Sequence, residues 1–99
     1  MENRIRTSYR MFRVTYYEHP MNREYTVEIY EFVDGVYELS IYDNSGHSYD
    51  PREFMKYTSG VNSVKFNPVD GYWAVNLTKD DVNAFFDAII KHNKANQRR

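Results

Sequence analysis

The segment that most constrains the fold is residues 24–42, two runs of alternating side chains joined by Val33-Asp34-Gly35. Period-two alternation is the mark of a half-buried strand, and two such runs around an Asp-Gly pair read as a hairpin. The register can be argued from the side chains alone. A two-residue loop would set Val27 against Tyr42 and Ile29 against Ser40, scattering the apolar residues. A three-residue loop sets Ile29 against Leu39 and Val27 against Ile41, all on one face. A slip of one residue sends every side chain to the other face, so the pattern selects the longer loop. That loop is a type I turn followed by a bulge, with Gly35 in the left-handed region.

The flanking sequence supplies further elements. Phe12, Val14 and Tyr16 alternate with Arg13, Thr15 and Tyr17, which predicts a strand over 11–17. His19-Pro20-Met21-Asn22 and Asp43-Asn44-Ser45-Gly46 are turns. Asp50-Pro51-Arg52-Glu53 has an N-cap, a proline at the first helical position and a glutamate at the third, and Ser59-Gly60 is a stop. A short helix over 51–58 follows, with Phe54 and one or two of Met55, Tyr57 and Thr58 turned inward. Val61–Asn67 and Tyr72–Leu77 read as strands joined by Pro68-Val69-Asp70-Gly71, with Phe66 facing Trp73 and Val64 facing Val75. Thr78 can accept the Asp81 amide and start a last helix. Its stripe is Val82, Phe85, Phe86, Ile89 and Ile90, while Lys91, His92 and Lys94 sit near its negative end.

The expected fold class is therefore α+β. It is a five-stranded, mostly antiparallel sheet in the order β-β-β-α-β-β-α, with the C-terminal amphipathic helix packed on one face. The sheet's expected core is Phe12, Val14, Tyr16, Val27, Ile29, Leu39, Ile41, Val64, Phe66, Trp73, Val75 and Leu77. Ninety-nine residues suit one core. The chain divides into a flexible basic arm at 1–10, a single domain at 11–93 and a basic tail at 94–99.

Charge is unevenly placed. The first thirteen residues carry four arginines against one glutamate, and the last nine carry four basic residues and no acid. Residues 14–90 hold thirteen acidic and five basic side chains. Ten tyrosines are present, the residue type that interfaces favour. There is no cysteine, which excludes a disulfide framework and thiolate metal sites and makes a cytoplasmic location the expectation. No apolar run is long enough for a membrane span.

Catalytic and metal chemistry find little purchase. His19, His47 and His92 show no ligand spacing. Ser45-Gly46-His47-Ser48 reads as a solvated turn, and Asp80-Asp81 are explained as capping residues. Asp43 and Asp50 flank a loop without an EF-hand pattern. The expectation is a chain that is not an enzyme, with no cofactor and no metal.

The hairpin's second face carries Thr26, Glu28, Tyr30, Phe32, Val36, Glu38, Ser40 and Tyr42, four of them aromatic or aliphatic and two acidic. A wet sheet face is usually plainly polar. Either the short helix or the N-terminal arm covers it, or it binds something. The leading reading is a protein-binding domain that engages a basic, nucleic-acid-handling partner through Glu28, Tyr30, Phe32, Glu38 and Tyr42. Abundant Asn and Tyr with scarce Ala suggest an inhibitor or adaptor from a phage or mobile element. Alternatives are a nucleic-acid-binding domain using the basic termini and exposed tyrosines, and a self-associating subunit such as a homodimer. The element order resembles the double-wing DNA-binding domain of a phage middle-promoter activator in topology alone. No residue signature is shared, and the acidic hairpins run against DNA binding.

Overall fold

The computed structural model describes residues 5–18, 21–56 and 66–96. Its elements are β1 (Arg6–Tyr16), β2 (Arg23–Phe32), β3 (Tyr37–Asp43), β4 (Ser48–Tyr49), α1 (Pro51–Lys56), β5 (Ala74–Leu77) and α2 (Lys79–Asn96). The α+β class holds: one five-stranded antiparallel sheet, an internal helix and a C-terminal helix.

The central hairpin has the register the apolar pattern selects. Ile29 lies opposite Leu39 and Val27 opposite Ile41. The Phe32 N–H donates to the Val36 carbonyl at 2.9 Å, the Gly35 N–H donates to the Phe32 carbonyl at 2.9 Å, and Gly35 has φ +81°. This is the three-residue loop with its left-handed glycine. β3 is central, with β2 on one side. On its other side β4 runs beside Ile41 and Tyr42, and β5 beside Tyr37 and Leu39.

Both helices pack on one face of this sheet. Val27, Ile29, Leu39 and Ile41 are at most 2% exposed, and each contributes on the order of 1.5–3 kcal/mol by burial. Phe54 of α1 meets Tyr16 and Tyr25 edge-on, and Phe86 of α2 lies 5.4 Å from Phe12. The helix starts are those the sequence encodes. The Asp50 carboxylate accepts the Arg52 N–H at 2.9 Å. Thr78 and Asp81 form a reciprocal capping box, with the Asp81 N–H donating to the threonine hydroxyl at 3.1 Å and the Thr78 N–H donating to the carboxylate at 2.8 Å.

Several expectations need correction. Residues 6–10 are strand, not loose arm: Tyr9 pairs with Tyr30 and Arg10 with Ile29. Alternation misses this stretch because its side chains stand exposed at a sheet edge. α2 runs on to Asn96, past the expected domain end at 93. Among the described residues a short strand that the expected order lacks, β4, precedes α1. The expected strand 61–67, its Val64–Val75 pair, the end of the short helix at Tyr57 and Thr58 and the His19-Pro20 turn involve positions outside the described residues. Phe66 is described, half-buried, and stacks on Phe54 at 4.0 Å against the edge of the core.

Trp73 and Val75 are not core residues. Trp73 stacks on Tyr30, on the opposite face, and Val75 is 40% exposed. The cause is Asn76, whose φ of +59° marks a register shift between the Tyr37–Leu77 and Leu39–Ala74 pairs. One extra residue in the strand puts both Ala74 and Leu77 inward and breaks the alternation. In α2 Ile90 is 52% exposed, and the buried stripe continues through Ala88 and Ile89 to His92.

Candidate functional site: the open sheet face

No described helix lies on the second face of the sheet. Strand parity places Glu28, Tyr30 and Phe32 of β2 there with Glu38 and Tyr42 of β3, so all five residues expected at a binding site share one surface. The same parity brings in Tyr9, Met11 and Arg13 of β1. Tyr9 is 46% and Met11 57% exposed, while Glu28, Tyr30, Glu38 and Tyr42 are half-buried.

An aromatic row crosses this face. The rings of Tyr9 and Tyr30 lie 4.9 Å apart at 34°, and those of Tyr30 and Trp73 lie 5.3 Å apart at 26°. Tyr30 is thus clasped on both sides. The Arg6 guanidinium also sits over its ring, 4.1 Å from the centroid, a cation–π contact. Phe32 is 7% exposed and lies behind Tyr30 at 6.5 Å, so it supports the row from within. The N-terminal stretch therefore covers part of this face through Arg6 and Tyr9, while α1 lies on the other side.

The carboxylates are held in different ways. The Tyr9 hydroxyl donates to Glu28 at 2.7 Å, and the Ser40 hydroxyl makes a longer contact with it at 3.4 Å. Two neutral hydroxyls solvate this carboxylate without cancelling its charge. The hydrogen bond to Glu28, with burial and neighbouring negative groups adding, pushes the Tyr9 phenol up to about 12. Arg13 pairs with Glu24 at 3.1 Å and also donates to Asn44 at 3.1 Å, which neutralises the far end of the face.

The other candidate groups are engaged structurally. Burial acts to raise the Asp43 carboxyl, but hydrogen bonds from the Tyr49 hydroxyl (2.7 Å) and the His47 and Ser45 amides (3.0 and 2.9 Å) outweigh it and hold the group below its usual value. Asp50 and Asp81 serve as caps, as described. Among the described residues no three His, Asp or Glu side chains gather as a metal site would need, and no helix is long and apolar enough to cross a membrane.

Sequence reasoning did not include Arg6, Tyr9, Met11 and Trp73 in this face. Extending the parity of Arg13 backward would have found Tyr9 and Met11. Nothing local signals Trp73, because its orientation depends on the bulge at Asn76. Comparison of the chain with protein-family models, with curated proteins and with solved structures finds no match.

Proposed function

We propose that the chain is a non-enzymatic protein-binding domain, an inhibitor or adaptor, that presents its open sheet face to a basic surface of a partner protein. The observation that carries this reading is the Tyr9–Tyr30–Trp73 row standing on a face that no described helix covers. Clustered aromatics held rigid before binding lose little entropy on association, and Tyr and Trp are the commonest binding hot spots. Glu28 and Glu38 lie in the middle of the face, and residues 14–90 are strongly acidic, which favours a basic partner through complementary charge. Tyr42 and Met11 extend the contact surface, and Phe32 keeps Tyr30 in place.

A protein partner is favoured over nucleic acid on this face because Glu28 and Glu38 would meet a phosphate backbone with like charge. Tyr30, the middle ring, is also already engaged by Tyr9, Trp73 and Arg6. The absence of cysteine supports a cytoplasmic working place.

Affinity capture from nuclease-treated lysate of the source cell, with the wild-type chain and with Glu38→Lys/Tyr42→Ala, tests the reading. Retention of a protein by the wild type and its loss with the double variant is the expected result. Retention that disappears with nuclease, or is equal for both chains, overturns it.

A further inference from the structure

β1 pairs with β2 alone among the described residues, so its other side is an open sheet edge. Asn93 of α2 fixes which residues face that way. Its side-chain amide donates to the Thr15 carbonyl at 2.7 Å, and its side-chain carbonyl accepts the Tyr17 N–H at 2.9 Å. The odd-numbered residues of β1 therefore turn their backbone groups outward, and strand periodicity carries this back to Arg13, Met11 and Tyr9. Asn93 fills the two positions where a neighbouring strand would bond. At the other end the register shift between Arg6 and Ser8 interrupts the regular ladder. Between these limits Tyr9, Met11 and Arg13 are exposed, and no described strand pairs with their outward N–H and C=O groups.

The side chains say what such an edge accepts. β1 carries Arg6, Arg10 and Arg13 and no acidic residue. Two copies joined edge to edge would gather both sets of arginines on one pair of strands. The antiparallel register centred on Arg10 would set it against its own copy, and like charges directly opposite are destabilising. Arg10 is exposed and forms no ion pair among the described residues. We propose that the edge Tyr9–Arg13 is a docking site for an extended acidic segment of a partner protein, which adds beside β1 as a further strand. Main-chain bonds to Tyr9, Met11 and Arg13 supply affinity, as in other strand-addition complexes. Carboxylates of the segment meet Arg10 on the helix-bearing face, since Arg13 is already paired with Glu24, and its apolar side chains lie beside Tyr9 and Met11 on the open face. This site borders the sheet face at Tyr9 and Met11, but it takes its affinity from backbone groups at the edge and does not require the sheet-face reading to hold.

The test uses three end-blocked heptapeptides: alternating Glu and Val, alternating Lys and Val, and the Glu-Val peptide N-methylated at every second residue. Amide exchange of the intact chain is followed by NMR at low salt. Protection of the Tyr9, Met11 and Arg13 amides by the Glu-Val peptide alone is expected. Arg10→Glu should weaken its binding by about tenfold, the size of a cross-strand charge reversal. Glu38→Lys/Tyr42→Ala should leave it unchanged, which separates this site from the sheet face. Equal binding of the Lys-Val peptide, no binding of the Glu-Val peptide, or binding without protection of those amides overturns the proposal. So does light scattering that shows the chain alone as a dimer with the same amides protected, because the edge would then belong to a second copy.

Discussion

The imidazole of His92 lies flat on the phenol ring of Tyr16, with centroids 3.8 Å apart and planes 4° from parallel. This contact fastens the last turns of α2 to the end of β1. His92 is fully buried, and its Nε2 lies 2.5 Å from the Tyr17 carbonyl. A carbonyl only accepts, so Nε2 carries the proton. The Asn96 amide approaches Nδ1 at 3.3 Å, in keeping with that tautomer. His92→Ala should lower stability by ~3 kcal/mol, the cost of emptying a buried aromatic site. His92→Phe keeps the stacking but leaves the Tyr17 carbonyl without this donor, and should cost ~1–2 kcal/mol. Urea unfolding curves measure both.

Stability should also depend on pH through the same ring. Burial lowers the His92 pKa below its usual 6.5, against opposing contributions from the Tyr17 carbonyl and Glu18. The unfolded chain then binds a proton that the folded chain resists. The His92 contribution is complete above about pH 6.5 and is withdrawn as the pH falls toward the lowered folded value. Among the charged groups around it, Glu18 is paired with Arg23 at 2.8 Å. Urea midpoints at pH 7.5, 6.5 and 5.5 should fall in that order, and His92→Phe should flatten the trend over this range.

Gly35 isolates a backbone effect. Nothing lies within 4 Å of where its Cβ would be, so a side chain there meets open space. Its φ of +81° is the obstacle. Gly35→Val should cost ~2 kcal/mol, while Gly35→Asn, which tolerates the left-handed region, should cost less than half of that. Thermal melts of the two variants give the comparison.

The capping box makes a smaller claim. Thr78→Ala removes the acceptor of the Asp81 N–H and should cost ~1 kcal/mol. Thr78→Ser retains the hydroxyl and should stay within a few tenths of a kcal/mol of the wild type. Chemical denaturation distinguishes them.

What was legible in the sequence was what strict periodicity governs. The β2–β3 register, the Gly35 turn and the α2 cap follow from side-chain patterns and local hydrogen-bond chemistry. The parts that were missed depend on tertiary context. β1 begins at Arg6 because β2 offers it a ladder, and its exposed side chains carry no alternation to announce that. Trp73 crosses to the open face because Asn76 inserts a residue into β5. His92 looked like a charge at a helix end, and only the nearness of Tyr16 makes it a core residue. The five candidate binding residues do share one surface, because parity alone decides that. Which other side chains support or cover them was not written in their own segment.

The most direct test of the proposed binding face uses Trp73, the only tryptophan in the chain. It stacks on Tyr30 in the middle of the aromatic row. With 5-fluorotryptophan incorporated, a single fluorine resonance reports on that face. Titration with the partner recovered by nuclease-treated capture should shift this resonance, with saturation that follows binding, and Glu38→Lys/Tyr42→Ala should abolish the shift. A fluorine resonance that stays in place while the partner saturates the chain would contradict the account.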